Sequence, residues 1–469
     1  MGEIREPTHV MLVFFSAQGH LNPMLQFAGH LSSRGITTTL ATTSIGQEGI
    51  LKGGTRAVLE AEGTIKFEFY SDGWDSRVPI VHLDDYMDKL EIVGSESLAS
   101  LVEELAANGR RVSYMISSPF TPWVVDVAKK LEIPCSVLWI QSSLVYSYYY
   151  RVYGGLGANG EVPVNLPGLP ELKLEDLPSL SLPSNPYKSF PRILTQLYAR
   201  LGDVRMVLGN SFDELEPEEI RFVEGLHPIR LVGPLVPQAL LERSQPAAIS
   251  DLRRDMWDAS PQCLTWLDSK KATSVVYVSM GSLLVMPPKQ MEEMAWGLKA
   301  SALPFLWVAK PSENSSNTTG MPEGFLEEVQ GQGIVVPWCP QAEVLSHPSI
   351  ACFVTHCGWN STLETITAGV PVIAIPEWTD QPTNAMLLVE VLGVGLRLRA
   401  GPDGVVSREE VAKCITATTQ GAMAEEMKTK AWTRKEAARA ALAHGGSSDR
   451  NIVAFVDDVM KSGHSQGPG

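Results

Sequence analysis

Residues 338–381 limit what this chain can fold into more than any other part of it. They read WCPQAEVLSHPSIACFVTHCGWNSTLETITAGVPVIAIPEWTDQ. Two apolar, β-branched runs, 350–355 and 370–375, have the length of strands buried in a parallel sheet. Between them Asn360 and Ser361 are placed to cap a helix. Gly369 would close that helix in the left-handed conformation that glycine adopts without strain. The strand-to-helix corner HCGWNS gathers an imidazole, a glycine, an amide and a hydroxyl at a helix N-terminus. Backbone N–H groups and the positive end of the helix dipole make such a corner an anion site.

The stretch contains no Lys and no Arg. A pyrophosphate bound here must therefore rest on backbone N–H groups, hydroxyls and His356 rather than on a basic clamp. Glu364 follows one helical turn later, within reach of vicinal hydroxyls beside the phosphates. Trp338 and Trp359 offer flat faces for a base or a sugar. Asp380 and Gln381 close the stretch, in what reads as a loop, with paired acceptor and donor groups. Phosphate, diol, aromatic face and polyol hooks together describe a nucleotide-sugar pocket.

This 44-residue stretch, THCGWNSTLE and the closing DQ above all, resembles the signature box of plant secondary-product UDP-glycosyltransferases. These are the family-1 glycosyltransferases of GT-B fold. The resemblance implies two Rossmann-like α/β domains whose parallel sheets face across a cleft. It implies that Trp338 stacks on uracil, that the backbone near Gln341 meets the uracil edge, and that Glu364 holds the ribose hydroxyls. His356, Asn360, Ser361 and Ser282 are implied at the pyrophosphate, and Trp359, Asp380 and Gln381 at the sugar. The closing Gln goes, in that family, with glucose more often than galactose, so UDP-glucose is the expected co-substrate.

The first half of the chain opens with a strand over 9–15, the loop SAQGHLNP, and a helix expected from Pro23 with Asn22 as its cap, ending at Gly35. His20 lies on that loop, at the carboxyl end of a first strand, where open α/β sheets bind ligands. In the family that GHLNP resembles, the matching histidine is the general base that takes the acceptor's proton, a task suited to imidazole. The family orients it with an Asp at the end of a later strand. Here Ser118, in VSYMISSPFTPW, stands at that position. A serine can accept a hydrogen bond from the ring but cannot stabilise an imidazolium by charge. Asp126 falls eight residues on, inside the following helix. Three readings stay open. His20 works alone as a weaker base, a carboxylate from elsewhere serves it, or the acceptor is a carboxylic acid that is already ionised near neutral pH. The third makes a glucose ester as plausible as a phenolic glucoside. The aromatic-rich segment 139–150 reads either as core or as an acceptor wall, with Gln141 and Ser142 near the sugar.

At 469 residues the chain calls for two domains. The expected division is an acceptor-binding domain over 1–240, a linker over 241–260, a donor-binding domain over 261–444, and a last helix with its tail over 445–469 that returns to the first domain. A net charge of −15 argues against a nucleic-acid or anionic-membrane partner. The longest apolar run near the start, 10–15, is too short for a signal segment, and Glu3 and Glu6 precede it. Six cysteines without a CxxC spacing suggest neither a zinc site nor a disulfide framework, and so a cytoplasmic protein. No two Asp residues stand two apart, so the metal-binding DxD pattern is missing and no metal or cofactor is expected.

These readings combine into an inverting, metal-independent glucosyltransferase, a monomer that binds a UDP-sugar donor and a small acceptor. The alternatives are carbon-linked transfer on the same fold, or a protein that holds a nucleotide sugar without turning it over.

Overall fold

A computed structural model of the chain describes residues 8–47, 65–75, 80–154, 172–217, 229–241, 262–281, 286–309 and 320–464. The described residues of Met1–Val236 and Ala440–Gly469 form one compact unit, and those of Pro237–Pro246 and Trp257–Arg439 form the other. The expected linker lies, from residue 242 on, outside the described residues, as does Ser282.

The first unit holds seven strands, β1 (His9–Val13), β2 (Thr37–Thr43), β3 (Ile65–Tyr70), β4 (Tyr114–Ser117), β5 (Cys135–Trp139), β6 (Val207–Gly209) and β7 (Ile229–Leu231). All pairs are parallel, in the order β3-β2-β1-β4-β5-β6-β7. Every residue of β1, β4 and β5 is buried, as helices on both faces of a parallel sheet require. Around the sheet run α1 (Gln18–Ser32), α2 (Leu83–Ala107), α3 (Trp123–Lys130), α4 (Ser143–Tyr153) and α5 (Ser189–Ala199). The chain walks outward from β1 to β3, then returns to lay β4 against the other side of β1. The carboxyl ends of β1 and β4 therefore flank the point where the winding reverses, the favoured ligand position of such sheets.

The second unit repeats this logic with six strands. They are β8 (Val275–Ser279), β9 (Phe305–Val308), β10 (Gly333–Val336), β11 (Ile350–Thr355), β12 (Val372–Ala374) and β13 (Gly395–Arg397), in the order β10-β9-β8-β11-β12-β13. Its helices are α6 (Gln262–Asp268), α7 (Pro288–Ala300), α8 (Phe325–Glu328), α9 (Gln341–Ser346), α10 (Trp359–Ala368), α11 (Gln381–Met386) and α12 (Arg408–Thr419). Here the reversal falls between β8 and β11. Ser407 caps α12 by accepting from the Glu410 N–H, as its SREE sequence predicts.

Two long helices end the chain, α13 (Gly421–Leu442) and α14 (Ser447–His464). The second begins earlier than its apolar pattern suggests, because Ser447, Ser448 and Asp449 already belong to it. Its apolar face, Ile452, Phe455, Val456 and Val459, enters the core of the first unit beside Phe27 and Tyr114. Asp449 pairs with Arg34 at 2.6 Å, and Asn451 donates to the Leu231 carbonyl.

Three local expectations need correction. Helix α1 starts at Gln18, not Pro23, so Asn22 and Pro23 lie inside it and His20 sits in its first turn rather than on a loop. Pro23 is tolerated because so near a helix start its missing N–H forfeits a single bond. Helix α10 is capped by Gly358, not by Asn360 or Ser361, which fall in its first turn; Gly369 does end it, at φ 72°. Asp380 and Gln381 are not in a loop: Asp380 is the residue before α11 and Gln381 its first, with Pro382 second, where proline suits the helix geometry.

Candidate functional site

In the second unit both strands at the reversal end in tight corners. After β8 the backbone turns at Gly281, whose φ is +73°. After β11 it runs through His356, Cys357 and Gly358 into α10. The His356 ring fills the space between the two glycines. A Cβ on Gly281 would meet the ring at 2.7 Å, and one on Gly358 would meet Nε2 at 2.6 Å. Both glycines are thus needed for the imidazole to occupy this position. Cys357 takes φ +63°, a strained value for a side-chain-bearing residue that tends to mark functional corners. The α10 N-terminus carries no side-chain cap, which suits an anion. Burial pushes the His356 imidazole down to about 4, with a smaller opposing pull from the Ser279 backbone, so the ring is a neutral partner at neutral pH.

One turn into α10, Glu364 is buried, and Gln341 at the start of α9 holds it. The Gln341 Nε2 donates to Glu364 Oε2 at 2.6 Å and to Ser361 Oγ at 3.0 Å, while its Oε1 accepts from the Tyr277 hydroxyl at 3.1 Å. A residue expected to act through its backbone therefore also fixes two neighbouring site residues with its side chain. Trp338 follows β10 and is half-buried, whereas Trp359 is only 3% exposed, so its ring serves packing more than stacking. Asn360, next to it, is half-buried at the helix start.

The Asp380–Gln381 end, expected at the sugar, is equally ordered. Gln381 Oε1 accepts from the N–H groups of Glu377 and Trp378, and among the described residues its Nε2 has no partner. Asp380 accepts from Thr379 Oγ1 at 2.9 Å and from Asn384 Nδ2 at 2.7 Å. Asn384 was not singled out by its sequence. It is fully buried, and its same nitrogen also donates to the Cys357 carbonyl at 2.9 Å, tying the corner after β11 to the start of α11. The signal was available: an Asn four residues after an Asp faces it across one helical turn.

In the first unit the reversal point brings His20 and Ser118 together. His20 Nδ1 lies 2.7 Å from Ser118 Oγ, both residues are buried, and the rings of Phe15 and Phe120 flank the imidazole at 5.5 and 5.1 Å. Among the described residues no carboxylate bonds the ring. Asp126 is engaged elsewhere, paired with Arg200 at 2.7 Å on the surface, so it does not replace the missing acid. Burial in this apolar setting drives the His20 imidazole down to about 3.

Gln141 and Ser142 follow β5. Ser142 Oγ accepts from the Val145 N–H and caps α4. Gln141 is buried, and its Oε1 has no partner among the described residues. The α4 N-terminus receives a second cap that sequence reasoning missed: the buried carboxylate of Glu216 accepts from the Ser143 and Leu144 N–H groups at 3.1 and 3.2 Å. In the sequence, Glu216 reads as part of an acidic helix start of its own.

Known proteins share this architecture. A sequence profile of UDP-glucoronosyl and UDP-glucosyl transferase matches residues 248–432. A gallate 1-beta-glucosyltransferase of Quercus robur is 42% identical over 96% of this chain and 89% of its own length. A cinnamate beta-D-glucosyltransferase of Fragaria ananassa is 41% identical over 97% and 83%. Among solved structures, Os79 from O. sativa in complex with UDP matches with a TM-score of 0.86 and 31% identity, over 96% of this chain and all of that one. A UDP-glucosyltransferase from Polygonum tinctorium that glucosylates indoxyl matches with a TM-score of 0.80 and 30% identity, over 97% and 99%.

Proposed function

The chain belongs to the plant family-1 UDP-glycosyltransferases, and on that premise we propose that it transfers glucose from UDP-glucose to the carboxylate of a small apolar acid, forming a β-glucose ester. Its fold is GT-B, and it is a UDP-dependent glucosyltransferase of small plant metabolites. The ester reading rests on the His20–Ser118 pair. A base must hold the proton it takes, and this ring, desolvated and without a carboxylate, binds a proton only at about pH 3. Taking a proton from a phenol of ordinary pKa would then be steeply uphill. A carboxylic acid asks nothing of the kind, since it is ionised at neutral pH. The names of the gallate and cinnamate relatives fit an acid acceptor.

The proposed chemistry is a single displacement. A carboxylate oxygen attacks the anomeric carbon from the face opposite UDP, the bond from that carbon to the diphosphate breaks, and an α-linked donor becomes a β-linked ester. His20 is the catalytic residue that meets the acceptor. The second unit holds the donor: Trp338 and the Gln341 segment at uracil, Glu364 at ribose, and His356, Asn360, Ser361 and Ser282 at the pyrophosphate. Trp359, Asp380 and Gln381 hold the glucose. The leaving diphosphate is stabilised by the α10 N-terminus and hydroxyl groups, a preorganised electrostatic contribution. UDP-glucose serves as co-substrate with no metal or cofactor beside it, in a cytoplasmic monomer. None of the cysteines among the described residues forms a disulfide, and none of the described helices is long and apolar enough to cross a membrane.

The test is UDP release in the presence of a benzoic acid or of the phenol of matching shape. Release with the acid is expected. Turnover with the phenol alone would overturn the ester reading.

A further inference from the structure

The hydroxyl of Ser118 decides which nitrogen of His20 carries the proton. Ser118 is fully buried, and among the described residues its Oγ has a single partner, the Nδ1 of His20 at 2.7 Å. A serine hydroxyl has one hydrogen to place, and a buried donor without an acceptor is costly. If Nδ1 were protonated, it would donate to Oγ, and the serine hydrogen would have no acceptor among the described residues. If Nδ1 is bare, the serine donates to it, and the remaining hydrogen of the neutral ring sits on Nε2. The second arrangement gives the serine hydrogen its acceptor and leaves Nε2–H, which has no partner among the described residues, as the donor open to a ligand. Ser118 is fully buried whereas His20 keeps 6% exposure, so the serine hydroxyl is the costlier donor to orphan, which favours the second arrangement.

We infer that His20 presents Nε2–H, so that it acts as a hydrogen-bond donor to the acceptor's carboxylate and not as a base, with Ser118 as the residue that sets this orientation of the proton. The inference rests on the ester reading for its ligand but not for its tautomer. A carboxylate at position 118 could only accept, would require Nδ1–H, and would leave a lone pair on Nε2 for proton abstraction. Serine reverses that polarity. An Nε2–H donor can hold one oxygen of an anionic acceptor between Phe15 and Phe120 while the other attacks. No proton moves in that step: the carboxylate arrives ionised, the ester forms neutral, and UDP leaves with the charge. The low basicity of the ring agrees with this, since a ring that stays neutral keeps its donor polarity across the working pH range.

Nitrogen NMR of the protein labelled at its histidine rings reads the tautomer directly, with His20→Asn assigning the signal. Nδ1 is expected bare and Nε2 protonated, without any variant being needed. A protonated Nδ1 overturns the inference, and if transfer to acids persists the ester reading survives it. Ser118→Asp is expected to reverse the two nitrogens and to raise the phenol-to-acid ratio of kcat/KM at least tenfold. A reversed tautomer with an unchanged ratio would remove the proposed link from Ser118 to acceptor choice. Ser118→Thr, which keeps the hydroxyl, should retain both the tautomer and the preference for acids.

Discussion

Asn384 donates from one amide nitrogen to the Asp380 carboxylate at 2.7 Å and to the Cys357 carbonyl at 2.9 Å. The corner that follows β11 and the start of α11 are therefore fixed to each other by one buried side chain. The carbonyl it holds belongs to a residue in a strained conformation, φ +63°, and Thr379, beside Asp380, is strained as well at φ +56°. Asn384→Ala leaves both acceptors short of a donor and is expected to cost about 1–3 kcal/mol in a urea titration. It should also raise the KM for UDP-glucose, because Asp380 is no longer held. Asn384→Asp should be worse at neutral pH, since it sets a second carboxyl against Asp380. Equal stability and KM in all three proteins would contradict this account.

The His356 ring is caged by two glycines that differ in kind. Gly358 has an ordinary backbone, φ −59°, so alanine there adds only a methyl group, 2.6 Å from Nε2. Gly281 combines the same crowding with φ +73°, which costs an alanine a further ~1 kcal/mol. Gly358→Ala should fold with little loss of stability yet bind UDP at least tenfold more weakly, as the displaced ring fouls the anion corner. Gly281→Ala should lose both affinity and stability. Calorimetry with UDP beside thermal unfolding separates the two, and undiminished affinity in Gly358→Ala would show that the ring position does not matter.

Much of this was legible in the sequence, and the parts that were not share a cause. The run 350–355 became β11 residue for residue, and Gly369 ended its helix as expected. Both are local signals, a β-branched run and a left-handed terminus. Ser118 was traced to His20 through the resemblance, and the structure places them in contact. The start of α1 was misread because Pro23 resembles a first helical residue; nothing in GHLNP reveals that the turn before it is already helical. The cap from Glu216, 73 residues from the amide it meets, was missed for a different reason. Pairs set by tertiary packing leave no spacing pattern in the chain. Asn384 lies between these cases, since its tie to Asp380 is a one-turn pair but its tie to Cys357 is not.

Gln341 and Glu364 should behave as one element in donor binding. Gln341 is a donor to the buried Glu364 carboxylate at 2.6 Å and is itself positioned by Tyr277. Gln341→Leu should weaken UDP binding about 5- to 10-fold, Glu364→Ala more, and the double variant hardly beyond Glu364→Ala, because contacting residues are not additive. Additive losses in binding free energy, measured by calorimetry, would show that the two act independently.

The buried His20 also gives stability a definite pH dependence. Its imidazole binds a proton at about 3 in the folded protein, against an ordinary value of 6.5 in the unfolded chain. Between those values the unfolded state carries more protons, so stability rises with pH there. The contribution is complete above pH 6.5 and is lost progressively on acidification toward pH 3. At pH 5 the loss from this one residue is about 2 kcal/mol. Carboxylates that titrate in the same window add their own slopes, so the comparison must be with His20→Asn, which keeps a polar side chain but cannot titrate. Between pH 7.5 and pH 5 the parent should lose about 2 kcal/mol more than the variant in urea unfolding. Parallel curves would mean that the folded ring accepts a proton as readily as the unfolded one, and the neutral, donor-bearing imidazole would be lost with that result.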